Sequence, residues 1–119
     1  DGELQTETMM AVARNSAKRG LDNLVFILDK NGLCATGKTD DVLPIDQNYL
    51  FYGWDMSFVD GHSYSDIQEA LGRDVDGPHL ITARTIKGKG VPQWENDNIW
   101  HYAQIKEDDY NYALTCLNS

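Results

Sequence analysis

The residues best suited to bind a metal ion lie in two turns that are far apart in the sequence. Asp1 and Gly2 directly precede a predicted helix, and Asn31 follows a predicted strand. In a parallel sheet, such a helix-to-strand crossover brings a helix N-terminus and a strand C-terminus to one edge. A carboxylate, an amide oxygen and a backbone carbonyl are hard oxygen ligands. Mg²⁺ prefers such ligands and completes its shell with water and phosphate oxygens. Gly2 would let a diphosphate approach the backbone closely.

Each turn taken alone has an ordinary structural explanation. An Asp-Gly pair before a helix is typical of an N-cap, and an Asn-Gly pair after a strand is typical of a tight turn. Cys34 follows the second turn closely, so it is expected near any ligand bound there, although no chemistry requires it. The case for a site therefore depends on the pairing of the two turns.

The elements on either side of the second turn have clear signatures. Apolar residues at helical spacing predict a helix over Leu4–Arg19, with basic residues in its last turn and Gly20 just beyond its end. The run "LVFILD", Leu24–Asp29, is apolar without alternation, which predicts a parallel strand buried on both faces.

The rest of the chain continues this alternation of helix and strand. We expect a loop over Cys34–Ile45, a short helix over Asp46–Tyr52, a strand over Trp54–Asp60, a helix capped by Ser65 and a strand over His79–Thr85. A Gly/Pro-rich loop and a closing helix with an acidic first turn follow. This order predicts an α/β fold with a parallel sheet. Because three strands make a thin sheet, we interpret residues 1–119 as one partial domain, the second half of a larger doubly wound domain.

Composition narrows the classes of partner. The net charge of −9 over 119 residues disfavours nucleic acid, since an acidic surface repels phosphate backbones. No apolar run is long enough to span a membrane and no leader is visible, so a cytoplasmic protein is expected. Cys34 and Cys116 have no metal-ligand spacing and are expected to be reduced thiols.

Four stretches together resemble one family. They are "DGELQ", "LDNLVFILDKNGL", "FYGWDMSFVDGHSYSDIQEAL" and "ARTIKGKGVPQWENDNIWH". They are similar to the thiamine diphosphate motif of transketolases and to the Thr-Ile-Lys-Gly-Lys-Gly loop of that family, which closes on a Trp-His pair. The similarity covers nearly the whole chain and is strongest to the N-terminal subunit of two-chain transketolases. By this resemblance the chain starts at the Asp of the Gly-Asp-Gly motif.

The resemblance implies a set of cofactor ligands. Asp1 and Asn31 match the side-chain ligands of Mg²⁺, and Leu33 matches the residue that offers its backbone carbonyl. Gly2 matches the glycine that contacts the diphosphate. The implied cofactors are therefore thiamine diphosphate and Mg²⁺.

The resemblance also assigns two residues near the substrate. Lys87 and His101 match a Lys and a His that line the channel near the diphosphate and the sugar. A lysine on a Gly-flanked loop can offset anionic charge, and a histidine can donate hydrogen bonds or carry a proton near neutral pH. Both could instead be ordinary surface residues. His62 is expected to be a turn residue, and His79 is expected on the surface.

The implied activity is two-carbon ketol transfer from a ketose, or its phosphate, to an aldose. The implied partners are a C-terminal, pyrimidine-binding subunit, a second copy of this chain and a sugar phosphate. Without the pyrimidine-binding subunit the chain is expected to be inactive. Two alternatives stay open: another thiamine diphosphate enzyme, such as a deoxyxylulose-phosphate synthase or a 2-oxo acid decarboxylase component, and a non-catalytic remnant of the fold.

Overall fold

The fold is built on parallel strands, as the sequence predicts. A computed structural model describes residues 2–39 and 46–119. Its strands in chain order are β1 (Val25–Lys30), β2 (Leu33–Cys34), β3 (Gly37–Lys38), β4 (Asp55–Asp60) and β5 (His79–Arg84). Strands β1, β5 and β4 form a parallel sheet in that order, and β2 pairs with β3 as a small antiparallel hairpin. The α/β prediction is confirmed.

Helices cover the two faces of the sheet. In chain order they are a 3₁₀ turn at Gly2–Gln5, α1 (Glu7–Arg19), α2 (Asp46–Phe51), α3 (Tyr64–Leu71), a second 3₁₀ turn at Asn98–His101 and α4 (Glu107–Leu117). No helix within residues 2–39 and 46–119 is long and apolar enough to cross a membrane.

Two apolar clusters hold the layers together. The first joins the N-terminal turn, α1 and α2 to one face of the sheet, and its buried members are Leu4, Ala13, Leu28, Tyr49, Trp54 and Leu80. The second joins α3 to the opposite face, and its buried members are Val59, Ala70, Ile81 and Ala83. Burial of this apolar surface provides the main driving force for folding.

The first helix begins later than predicted. Thr6 is extended, with φ −85° and ψ 143°, so it separates the 3₁₀ turn from α1. Leu4 nevertheless packs into the core and is 3% exposed. At the other end, Gly20 adopts φ 60°, and its N–H donates to the carbonyls of Ala17 and Ser16, which confirms the predicted glycine cap.

Strand β1 is not buried on both faces, so that part of the prediction is wrong. Val25 is 42% exposed and Ile27 is 53% exposed, whereas Leu28 on the opposite face is buried. The reason is that α3 packs on β4 and leaves β1, at the edge of the sheet, uncovered on this side. An apolar run reports what a strand can bury, and the neighbouring elements decide what it does bury.

The prediction that His79 lies on the surface is also wrong. The first residue of β5 is 1% exposed, and its Nε2 lies 2.9 Å from the Ser57 Oγ. Arg73 donates to the same Oγ at 2.6 Å and to the Met56 carbonyl oxygen at 2.8 Å. Burial, and to a smaller degree the positive charge of Arg73, lowers the pKa of His79.

Two local assignments are corrected as well. The N-cap of α3 is Ser63 rather than Ser65, because the Ser63 Oγ accepts from the Asp66 N–H at 3.3 Å. The segment predicted as a loop over Cys34–Ile45 contains the end of β2 and all of β3. Its last part, residues 40–45, lies outside the described residues.

Candidate functional site

A cleft of about 560 Å³ opens where β1 ends. Ligands of open α/β sheets bind at this edge, outside the carboxyl ends of the strands. The cleft is lined by residues from the N-terminal turn, the end of β1, the β2–β3 hairpin and the second 3₁₀ turn: Gly2, Glu3, Gln5, Asp29, Asn31, Leu33, Cys34, Ala35, Thr36 and His101.

The N-terminal turn rests directly on the hairpin. A Cβ added at Gly2 would lie only 2.7 Å from the Cβ of Cys34, so the contact has room for glycine alone. Leu4, buried in the core, holds this turn in place. The two sequence turns therefore meet at one edge of the sheet, as the crossover predicts. Asp1, a predicted metal ligand, lies outside the described residues.

The Asn31 turn presents two oxygen atoms. The Asn31 Oδ1 accepts from the Leu33 N–H at 2.9 Å, and an amide oxygen can accept a second partner. Thr39 N–H donates to the Gly32 carbonyl at 3.0 Å, so these two residues form a hydrogen-bonded pair of the ladder. Because such pairs alternate along an antiparallel ladder, the backbone groups of the next residue, Leu33, point away from β3. Its carbonyl is therefore outside the ladder, on the side of Asn31.

This donor set fits a small hard cation. Mg²⁺ takes amide and carbonyl oxygens and keeps several positions for water and phosphate. Over the described residues, no group of three His, Cys, Asp or Glu side chains is arranged to hold a metal ion. A metal bound here would depend on the amide and backbone oxygens of the turn, together with a ligand from elsewhere.

The walls of the cleft are acidic and carry one thiol. Glu3 and Asp29 contribute carboxylates, and the Thr85 hydroxyl donates to the Asp29 Oδ1. Cys34 lies in the wall, and its Sγ is 3.3 Å from the Thr36 Oγ1. Hydrogen bonds from the Thr36 side chain, and then from its backbone, lower the pKa of the Cys34 thiol. An anion entering this cleft needs a compensating positive charge.

An ordered loop between β5 and α4 delivers His101 to the cleft. The rings of Trp94 and Trp100 are tilted against each other with centroids 4.7 Å apart. Asp97 caps the second 3₁₀ turn, and its Oδ1 accepts from the Ile99 N–H at 3.0 Å. His101 ends that turn with its side chain exposed at the cleft.

Lys87 begins the same loop but does not line the cleft. Its carbonyl accepts from the Asn96 N–H at 3.0 Å, and its side chain is partly buried. The structure thus brings Gly2, Asn31, Leu33 and His101 together and leaves Lys87 apart.

Sequence reasoning did not single out several residues of this cleft. Asp29 directly precedes the Lys-Asn-Gly turn, and its place at a strand end was the available signal. Glu3 and Thr36 offered none, since their places depend on how the turn and the hairpin fold together. His62 lies in the turn after β4, as predicted, but its Nε2 also accepts from the Ile86 N–H at 2.8 Å.

Comparisons with known proteins agree on one family. Residues 1–117 match the family model described as transketolase, thiamine diphosphate binding domain. One of the two subunits of the apulose-4-phosphate transketolase of Phocaeicola vulgatus is 31% identical over 121 residues, which cover 96% of this chain and 43% of that protein. Transketolase of Homo sapiens is 34% identical over 108 residues, which cover 85% of this chain and 17% of that protein.

A solved structure supports the same fold. The crystal structure of transketolase from Campylobacter jejuni superposes with a TM-score of 0.90 at 24% identity, covering 99% of this chain and 19% of that chain. The chain spans less than half the length of the curated relatives described above. With a family match over nearly all of its residues, the chain belongs to the transketolase family and represents its thiamine diphosphate binding domain.

Proposed function

We propose that this chain binds Mg²⁺ and the diphosphate of thiamine diphosphate, as part of a transketolase-like enzyme with more than one chain. The observation that carries the proposal is the meeting of the two turns, with Gly2 against Cys34 and Leu33 N–H on the Asn31 Oδ1. This contact gathers oxygen ligands and a glycine backbone at one cleft. The family match supplies the identity of the cofactor.

Three residues would hold the metal. The Asn31 Oδ1 and the Leu33 carbonyl contribute neutral oxygens, and Asp1 contributes a carboxylate. Gly2 would let the diphosphate lie against the backbone, since it has no side chain. The acidic wall formed by Glu3 and Asp29 supports a role for the cation, because a diphosphate alone would be repelled.

His101 and Lys87 are proposed to act on the substrate side. When bound, thiamine diphosphate supplies the carbanion that takes up a two-carbon fragment. The exposed imidazole of His101 would donate hydrogen bonds to substrate hydroxyls and could carry a proton. Lys87 would contribute a positive charge on a flexible stem. The proposed reaction is ketol transfer from a ketose phosphate to an aldose, and a relative named for apulose-4-phosphate supports a sugar phosphate substrate.

A partner chain belongs to this proposal. Relatives from Phocaeicola vulgatus and Actinobacillus succinogenes are each named as a single subunit of a transketolase, which supports a second type of chain. We propose that this second chain binds the aminopyrimidine half of the cofactor. A second copy of the present chain completes the assembly, and the chain alone is inactive. That residues 1–119 form one partial diphosphate-binding domain stays a prediction.

Calorimetric titration with thiamine diphosphate tests the site. We expect binding in the presence of Mg²⁺ and its loss on addition of EDTA. Asn31→Ala should weaken binding by at least about tenfold, since even outer-shell changes at metal sites cost that much. Asn23→Ala is the matched control, because Asn23 is exposed and precedes the opposite end of β1.

The outcomes separate the alternatives. Equal binding by wild type, Asn31→Ala and Asn23→Ala would contradict the assigned metal site. Absence of Mg²⁺-dependent binding in a folded wild-type sample would contradict the proposed function and favour a non-catalytic remnant. When a pyrimidine-binding partner is supplied, a donor screen should give turnover with ketose phosphates. Turnover with pyruvate alone would favour another thiamine diphosphate enzyme.

A further inference from the structure

The turn after β4 packs tightly on the end of β5. Gly61 N–H donates to the Arg84 carbonyl at 2.7 Å. A Cβ added at Gly61 would lie 2.4 Å from the Thr85 Cγ2 and 2.9 Å from the Arg84 carbonyl oxygen. The two segments therefore meet through their backbones, directly before the loop that carries Lys87 and ends at His101.

His62 extends this contact by one residue. Its Nε2 lies 2.8 Å from the Ile86 backbone nitrogen, which can only donate. Nε2 must therefore be the unprotonated nitrogen, and the proton of the neutral ring is on Nδ1. The His62 N–H donates to the Asp60 Oδ1 at 2.9 Å, which fixes the backbone that carries the ring. An imidazolium could not accept from Ile86, because both of its nitrogens are donors.

Ile86 lies between the sheet and the functional loop. Its predecessor Thr85 is tied to the end of β1, through its N–H to the Lys30 carbonyl at 3.3 Å and its hydroxyl to Asp29. Its successor Lys87 is held by the Asn96 N–H. An anchor at the Ile86 amide thus sets where the loop departs from the cleft edge.

We propose that His62 is a positioning residue whose neutral imidazole anchors the loop of residues 86–101, and that protonation of the ring releases this anchor. The anchoring itself stands on the contacts above. Its consequence for ligand binding rests on the proposed function, in which that loop carries Lys87 and His101.

Charged groups of both signs surround this turn. Asp60 lies on the turn itself and Asp66 on α3, where its Oδ2 is 3.5 Å from the Asp60 backbone nitrogen. On the other side, Arg84 ends β5 and Lys87 follows Ile86 in the loop. The carboxylates favour the imidazolium and the cations oppose it. A pH series therefore has to follow the Ile86 amide itself rather than a global property.

Hydrogen exchange of the Ile86 amide tests the anchor without any ligand. In wild type, the protection factor should be about fivefold higher at pH 8 than at pH 5, the effect of one exposed hydrogen bond. His62→Gln can place its Oε1 where the Nε2 was, so its protection should not change with pH. His62→Leu has no acceptor and should leave the amide unprotected at both values. The Gly61 amide, bonded to a carbonyl, is the internal control and should not respond.

Protection of the Ile86 amide that is equal at pH 5 and pH 8 in wild type, or unchanged in His62→Leu, would overturn the anchor. Calorimetry at pH 8 then tests the consequence. Thiamine diphosphate with Mg²⁺ should bind His62→Gln like wild type and His62→Leu several-fold more weakly. Equal affinity of all three, with the loop demonstrably released, would overturn the role in positioning. If wild type binds no cofactor, the proposed function fails, whereas the exchange result still decides the anchor.

Discussion

Replacing Gly2 with alanine tests whether the N-terminal turn rests directly on the hairpin. The added Cβ would lie 2.7 Å from the Cys34 Cβ, whereas non-bonded carbons pack best at about 3.5–4.0 Å. Gly2 is not among the glycines with positive φ, so the backbone itself accepts alanine. The predicted effect is therefore purely steric.

Two routes can relieve this clash, and the less costly one sets the magnitude. The turn and the hairpin can move apart by about 1 Å, a form of overpacking that typically costs about 1–3 kcal/mol. Alternatively, the turn can lift away from the core and expose Leu4, which is 3% exposed in the fold. Losing that burial costs about 1.5–3 kcal/mol. Gly2→Ala should thus lower the free energy of unfolding by about 1–3 kcal/mol.

The assay is urea denaturation of wild type, Gly2→Ala, Cys34→Gly and the double variant. Cys34→Gly alone should cost about 0.5–1 kcal/mol, because glycine in a strand loses more conformational freedom on folding. It also removes the clashing Cβ, so the double variant should be more stable than the sum of the single effects predicts, by about 1–3 kcal/mol. A coupling energy within about 0.5 kcal/mol of zero would refute the contact, since distant sites add to that accuracy.

Three further predictions concern other parts of the fold. Burial lowers the pKa of His79, so the native state binds fewer protons than the unfolded state. The free energy of unfolding in urea should therefore fall as pH drops below about 6.5. Asp46→Asn breaks the 2.9 Å ion pair between Lys30 and Asp46, and thermal denaturation should show a loss of about 2 kcal/mol, less than for a fully buried pair because Lys30 is partly solvated. Gly88→Ala puts a Cβ 2.6 Å from the Trp94 carbonyl oxygen at φ +72°, and tryptophan fluorescence in urea should report a loss of about 2–4 kcal/mol.

Matched variants isolate each cause. His79→Gln should reduce the dependence of stability on pH between 5 and 7.5, and an unchanged dependence would exclude His79 as its source. Asp74→Asn changes an exposed carboxylate and should leave the melting temperature nearly unaltered. Gly20 has φ +60° and no atom within 4 Å of the added Cβ, so Gly20→Ala should show only the backbone cost of about 1–2 kcal/mol. Equal losses at Gly20 and Gly88 would contradict the steric argument.

Features that depend on neighbouring residues in the chain were predictable. Gly20 ends α1 because a left-handed residue satisfies the last carbonyls of a helix. The parallel sheet followed from the alternation of helices and strands. The cap of α3 shows the limit of this reasoning. Ser63 and Ser65 have the same chemistry, and the choice falls on the serine three residues before Asp66, whose N–H it accepts.

Features that depend on distant residues were not predictable. His79 is buried because Ser57 and Arg73, from β4 and the end of α3, enclose it. Val25 is exposed although its type favours burial, since no described element covers that face of β1. In the site, the helix-to-strand crossover predicted that the two turns would meet, but not that Gly2 would lie against Cys34.

The contact between Arg73 and the Met56 carbonyl has a consequence for self-association. β4 is an outer strand of the sheet, and Arg73 occupies one of its outward carbonyls with a bulky, charged side chain. Outer strands are the usual sites at which sheets add further strands and aggregate. A filament that grows by joining sheet edges needs two open edges on every molecule. With Arg73 obstructing β4, any such joining at β1 would end with a pair of molecules rather than propagate.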